Sequence, residues 1–64
     1  MEQMCELDVF IDGEKVFERA IRLRRDKDKI IVRSVLGNKK TLSDVEFDEL
    51  DIPSEKLTLT KRGR

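Results

Sequence analysis

Residues 30–36, IIVRSVL, form the most β-branched stretch of the sequence, and they decide its fold class. The stretch is apolar at consecutive positions at its start, which is typical of a strand buried on both faces in the middle of a sheet. Gly37 and Asn38 then predict a turn into the next run, KKTL, at residues 39–42. The sequence therefore predicts a central strand that is followed by a hairpin.

Shorter runs on both sides have the same character. Apolar residues alternate with polar ones near the start of the chain and indicate a half-buried first strand: Cys5, Leu7, Val9 and Ile11. Asp12 and Gly13 predict the turn that follows it, because glycine accepts a positive φ. In the second strand we expect Phe17, Ile21 and Leu23 to share the inner face, with Arg19 as the exception.

The C-terminal part holds one ambiguous segment, residues 43–52, SDVEFDELDI. Ser43 and Glu46 could form a helix-capping box, but the short alternation favours a strand over a helix. The run KLTLT then predicts a last strand with Leu57 and Leu59 directed inward. Six short strands in so small a chain predict an all-β fold, a small antiparallel β-barrel of SH3-like or Sm-like size.

The composition limits what the chain can do. Its 64 residues predict a single domain, residues 1–64, with residues 1–3 as an N-terminal extension and residues 61–64 as a frayed basic tail. No apolar run approaches the length of a membrane span, so we expect a cytoplasmic protein. The chain contains no histidine and shows no phosphate loop, zinc spacing or nucleophile beside a base, so we expect no enzymatic activity. A chain this short often depends on a metal ion or a partner subunit for stability.

Cys5 is the only cysteine and has two interpretations. Its position in the alternating run is typical of a small buried apolar residue. The preceding Met4 allows a second interpretation, because a chain that starts there and loses its methionine would carry both a free amine and a thiolate at Cys5. Such nitrogen and sulfur donors suit Ni(II) or Cu(II), and two chains would complete a shared site on a two-fold axis.

The charges fall into blocks, although the chain carries 14 basic and 14 acidic residues in all. Residues 19–40 are mostly basic, and residues 41–55 carry acidic side chains without basic ones. One hypothesis is that the basic residues form a face that binds RNA: Arg22, Arg24, Arg25, Lys39 and Lys40. The sequence favours the simpler alternative, in which basic and acidic strands are neighbours and neutralise each other. The carboxylates of Asp48, Glu49 and Asp51 are typical of a solvated edge.

The order of these segments resembles the CooT family of small nickel-binding proteins, earlier labelled predicted RNA-binding proteins. The resemblance extends from Met4 to about Thr60 and is carried by these segments: MCELDVFI, VFERAIRLR, DKIIVRSVLGNKKTL, VEFDELDI and EKLTLT. Its most specific points are the Met-Cys-Glu start, the KIIVRSVLG strand and the closing hairpin of ELDI with KLTL.

The resemblance implies a homodimer with one Ni(II) per dimer, held at the subunit interface by the cysteine after the initiator methionine. In this chain that residue is Cys5. The implied role is the delivery of nickel to an enzyme such as carbon monoxide dehydrogenase. The chain departs from the family pattern by having Met1, Glu2 and Gln3 ahead of the usual start. With these residues present, Cys5 offers a thiolate and a backbone amide but no free amine.

Overall fold

The computed structural model describes residues 6–62, and all of the regular structure in this part is β-strand. The strands are β1 (Leu7–Ile11), β2 (Glu14–Asp26), β3 (Lys29–Ser34), β4 (Lys39–Ser43), β5 (Val45–Asp51) and β6 (Lys56–Lys61). The predicted all-β class with six strands is confirmed, and the ambiguous segment 43–52 contains the strand β5. Within residues 6–62 there is no helix long and apolar enough to cross a membrane.

The six strands lie in one sheet in the order β4-β3-β2-β1-β6-β5. Four pairs of consecutive strands are antiparallel, namely β1 with β2, β2 with β3, β3 with β4, and β5 with β6. The one difference from a wholly antiparallel sheet is the pairing of β1 with β6, which run parallel. The chain reverses direction between every two consecutive strands except β4 and β5. Four reversals therefore separate β1 from β6, and an even number leaves these two strands pointing the same way.

Asp44 alone connects β4 to β5, the two edge strands of the sheet. It adopts a φ of +56°, in the left-handed region. Its backbone N donates a hydrogen bond to the carbonyl oxygen of Asp28 at 3.1 Å, and its own carbonyl oxygen accepts one from the backbone N of Arg62 at 2.8 Å. The sheet must curl strongly, since its opposite edges meet at this single residue. The result is barrel-like, although no ladder of hydrogen bonds joins β4 to β5 in the described part.

β2 contains a bulge at Arg19. Val9 pairs with Phe17 but Leu7 pairs with Ala20, so a step of two residues in β1 matches a step of three in β2. Arg19 lies in the stretch that holds the extra residue and has a φ of +58°. A bulge of this kind bends the strand, and here it allows one long strand to pair with both β1 and β3.

A second shift in register follows directly, between Ala20 and Arg22, in the pairing of β2 with β3. The two shifts bring Ala20 into the core, where it is fully buried. Ile21 and Leu23 remain 41% and 37% exposed. The predicted shared inner face of β2 is therefore confirmed for Phe17, which packs against the core, and is wrong for Ile21. Leu23 pairs with the buried Val32 and so lies on the inner side, at its exposed rim.

The core is a small aliphatic cluster to which all six strands contribute: Val9, Ala20, Val32, Leu42, Val45, Leu57 and Leu59. The predicted inward direction of Leu57 and Leu59 is confirmed. Leu7 and Ile11 are half-buried on either side of the buried Val9, so the first strand has the predicted character over its described residues. The Asp12–Gly13 turn is also confirmed, with φ values of +51° and +86°.

Candidate metal-binding strand end and basic face

Cys5 lies outside the described residues, so its role as a metal ligand stays a prediction. Glu6 follows it and is the first residue described. One carboxylate oxygen of Glu6, Oε1, accepts a hydrogen bond from Nε of Arg19 at 3.1 Å. Because Arg19 belongs to the bulge of β2, the bulge provides an attachment point for the residue next to Cys5.

Asp8 strengthens the attachment of this strand end. Its Oδ1 accepts a hydrogen bond from the backbone N of Arg19 at 3.3 Å, and its Oδ2 lies 3.6 Å from Nζ of Lys15. The backbone N of Asp8 donates to the carbonyl oxygen of Glu55, just before β6, at 3.0 Å. Exposed ion pairs contribute only about 0–1 kcal/mol each. The start of β1 is nevertheless held from β2 on one side and from the β5–β6 turn on the other.

The acidic residues of β5 do not assemble into a metal site. Within the described part of the chain, no three His, Cys, Asp or Glu side chains come close enough together to hold a metal ion. The Oδ1 of Asp51 instead accepts a hydrogen bond from the backbone N of Ser54 at 3.3 Å, which supports the turn before β6. Cys5 therefore remains the candidate ligand that the sequence proposes.

Four basic side chains surround one groove on the outer surface of β2, β3 and β4, and we name them the basic face: Arg22, Arg24, Arg33 and Lys39. Lys29 lies on the same side, beyond this groove, where it pairs with Asp26. Arg33 pairs with Arg22 on one side and with Lys39 on the other, so these three side chains form a row across the strands. Arg24 follows Arg22 on the same side of β2, since side chains alternate along a strand. The neighbouring Val32, which is buried, points to the opposite side.

The structure places the five basic residues predicted from the sequence on two different sides of the sheet. Arg22, Arg24 and Lys39 lie together on the basic face, and Arg33 joins them although the sequence prediction omitted it. Arg25 and Lys40 are on the other side of the sheet, which corrects the prediction for these two. Arg25 pairs with Ile30, and its Nε donates to the carbonyl oxygen of Lys27 at 3.4 Å. Lys40 pairs with the buried Val32, and its Nζ donates to the carbonyl oxygen of Val16 at 3.2 Å.

The acidic strand β5 does not neutralise the basic face. The expected pairing of basic with acidic strands is wrong, because β5 pairs with β6 and, in the described part, with no strand from the basic segment 19–40. Where the edges meet, Glu46 of β5 lines one hollow with Arg25 and Lys29, which are not part of the basic face. The four ion pairs found among residues 6–62 involve other basic residues, namely Lys15, Arg19 and Arg62. The basic face therefore carries four positive charges with no carboxylate within ion-pair distance in the described part of the chain.

Residues 4–60 match the sequence profile of a family described as the CO dehydrogenase accessory protein CooT. The chain belongs to the CooT family. Its fold is similar to the crystal structure of a protein assigned as CooT from Carboxydothermus hydrogenoformans, with a TM-score of 0.82 and 19% sequence identity. The similarity covers 92% of this chain and 100% of that one, and at this identity it shows the fold alone. The comparison with curated proteins gives no match.

The CooT match confirms the resemblance found in the sequence, and the matched range includes Cys5. It also agrees with the expectation that the chain is not an enzyme, because the family is described as an accessory protein. The similar CooT structure supports the small β fold. Nickel binding, dimerisation and RNA binding are not addressed by these comparisons and stay predictions.

Proposed function

We propose that this CooT family member is a homodimeric nickel-binding accessory protein that delivers Ni(II) to a nickel enzyme such as CO dehydrogenase. The observation that carries the proposal is the family match over residues 4–60, which contains Met4, Cys5 and Glu6. Nickel is the cargo in this proposal, with one ion per dimer. The protein would act in the cytoplasm, where a lone cysteine stays reduced.

The donor chemistry of the chain supports a site shared between two copies. Each chain has one cysteine and no histidine, so one copy supplies a single thiolate. The described residues offer no cluster of carboxylates that could complete a site within one chain. Two copies related by a two-fold axis supply two thiolates, each with a nitrogen of its own backbone beside it. Nitrogen and sulfur donors of this kind suit Ni(II).

The fixed start of β1 supports the same assignment. A shared site requires that both thiolates be presented in a repeatable position, and preorganised ligands bind metal more tightly than mobile ones. The contacts of Glu6 and Asp8 with Arg19 hold the residues that directly follow Cys5 in the sequence. These contacts give the chain a defined point from which the cysteine can be presented.

Ni(II) titration of four proteins tests the proposal. Two are the full chain and a form that starts at Met4 with this methionine removed; the other two carry Cys5→Ser. We expect half an equivalent of Ni(II) per chain and a thiolate-to-nickel charge-transfer band, both absent from the serine variants. We expect tighter binding by the shorter form, because a free amine at Cys5 is a better donor than a backbone amide.

Sedimentation measured with and without Ni(II) tests the shared site directly. We expect a dimer in the nickel-bound state. A nickel-saturated monomer would contradict the shared site, and unchanged nickel binding in the Cys5→Ser variants would contradict the role of the thiolate. Intact mass must confirm removal of Met4 in the shorter form, since a retained methionine would block the amine.

A further inference from the structure

We propose that the basic face binds the phosphodiester backbone of a duplex nucleic acid. The proposal is independent of nickel, because it rests on Arg22, Arg24, Arg33 and Lys39 and does not involve Cys5. All four residues are exposed, and they lie on three neighbouring strands. A groove of about 420 Å³ lies between them, lined also by Leu23 and Ile31.

The spacing of the row makes it unfavourable without an anion. Arg22, Arg33 and Lys39 are direct cross-strand neighbours, and adjacent strands in a sheet lie about 4.8 Å apart. Like charges placed directly opposite each other destabilise a sheet. The described residues offer no carboxylate within ion-pair distance to offset this repulsion. The arrangement therefore favours binding of an anion over stabilisation of the fold.

The side chains on the face favour phosphate as that anion. Three of the four cations are arginines, whose planar guanidinium groups bind phosphate oxygens through two hydrogen bonds at once. A repeating phosphate chain can contact several points of the row together. Protein interfaces usually centre on buried aromatic anchors beside their arginines, and no aromatic residue lines this groove.

The positions of the aromatic residues favour a duplex over a single strand. Single-stranded nucleic acids stack their bases on aromatic side chains. The chain has three phenylalanines and no tryptophan or tyrosine. Phe10 lies beneath Nζ of Lys56, Phe17 packs against the core, and Phe47 is on β5 at the far edge. None of the three is on the basic face, so binding would use the backbone of a duplex and would read little sequence.

Fluorescence polarisation with a short labelled RNA duplex tests the proposal, with the same sequence as a DNA duplex and as single-stranded RNA in parallel. Four phosphate contacts predict a slope of about −3.6 for log K against log salt, or a fall of about a hundredfold between about 50 and 200 mM salt. The double variant R22Q/R33Q should bind at least about tenfold more weakly at low salt, with a slope about 1.8 units shallower. Equal affinity for the RNA and DNA duplexes identifies the phosphate backbone as the ligand. Higher affinity for the RNA duplex indicates additional contact with its 2′-hydroxyl groups.

The matched control is R25Q/K40Q, which removes the same two charges from the other side of the sheet. We expect it to bind duplexes like the unchanged chain, and we expect Cys5→Ser to do the same. The proposal is overturned if R25Q/K40Q loses as much affinity as R22Q/R33Q, because net charge would then explain the binding. It is also overturned if no duplex binds at low salt, or if poly-L-glutamate competes as well as the duplex, which would favour an acidic protein partner. Far-UV circular dichroism should show both double variants folded.

Discussion

At position 18 of β2, the alanine variant is expected to be more stable to unfolding than the glycine variant. At position 19, the glycine variant is expected to be at least as stable as the alanine variant. Arg19 has a φ of +58°, whereas its neighbour Glu18 does not have a positive φ. In a strand interior, glycine is less stable than alanine by about 0.5–1 kcal/mol, because it loses more backbone entropy on folding. At position 18 we therefore expect E18A to be more stable than E18G by this amount. At Arg19 the left-handed backbone adds a cost for every residue that has a Cβ.

The expected difference can be worked out from these two terms. The left-handed conformation costs an L-residue about 1–2 kcal/mol. Subtracting the entropy cost of glycine, about 0.5–1 kcal/mol, leaves R19G from equal to about 1.5 kcal/mol more stable than R19A. Both variants lose the ion pair with Glu6, so that contact cancels in the comparison. The glycine-minus-alanine difference should therefore be about 1–2 kcal/mol more favourable at position 19 than at position 18.

Urea unfolding followed by far-UV circular dichroism measures this difference, since the chain has no tryptophan or tyrosine for fluorescence. The free energy of unfolding should fall by about 1 kcal/mol per molar urea. The glycine-minus-alanine difference in urea midpoint should therefore differ by about 1–2 M between the two positions. The proteins should be metal-free and at one concentration, because ligands and association shift apparent stability. If the alanine variant is more stable to urea than the glycine variant by the same amount at both positions, Arg19 is not left-handed and the bulge has been assigned wrongly.

Two further substitutions test the core and the corner between the edge strands. Leu59→Ala should lower the free energy of unfolding by about 2–5 kcal/mol because Leu59 is 0% exposed, whereas the same change at Leu36, which is 77% exposed, should stay within about 0.5 kcal/mol in thermal unfolding. Equal losses at the two positions would contradict the assigned core. Asp44→Pro should be at least about 2 kcal/mol less stable than Asp44→Gly, because proline cannot donate to the carbonyl oxygen of Asp28 or adopt a φ of +56°. Similar urea midpoints for these two variants would show that the corner is not formed as described.

Alternation in the sequence predicts the strands of this fold well wherever a strand is unbroken. In β6 the period of two places Leu57 and Leu59 in the core, as expected. In β2 the same reasoning fails, because two shifts in register around Ala20 change which residues face inward. The one visible signal was Arg19, a charged residue at a position that alternation assigns to the core. A charge there indicates that the strand is interrupted, but it does not say where the extra residue lies.

The basic face could be predicted only in part for the same reason. The sequence selects basic residues by their density, and density does not distinguish the two sides of a sheet. Arg25 and Lys40 fall on the core side, at its exposed rim, while Arg33 falls on the outer side. Arg33 could have been found from β3 alone, because it follows Val32 in the most β-branched strand and alternation places it opposite that core residue. The position of Cys5 cannot be judged in this way, since it precedes the described residues.

The charges at the two edges of the sheet restrict where a closed dimer can form. β4 carries Lys39 and Lys40, and β5 carries Glu46, Asp48 and Glu49. When an edge strand pairs with its own copy, two strands of like net charge come to lie side by side, which opposes pairing of β4 with β4 or of β5 with β5. Pairing of β4 with the β5 strand of another copy would join opposite charges, and in a closed pair both copies would have to make this contact at once.

A dimer that uses neither edge avoids both conditions, and the region around the start of β1 is one surface away from the edges. β1 is an inner strand, and its first residue, Leu7, pairs with Ala20 beside the exposed Ile21. Ile21 and Val35 line one hollow at this corner together with Arg22 and Arg33 of the basic face. Burial of the exposed apolar surface favours association here, whereas the two arginines oppose it. Association through this hollow would cover Arg22 and Arg33, so in this arrangement a dimer would not bind a duplex through the basic face.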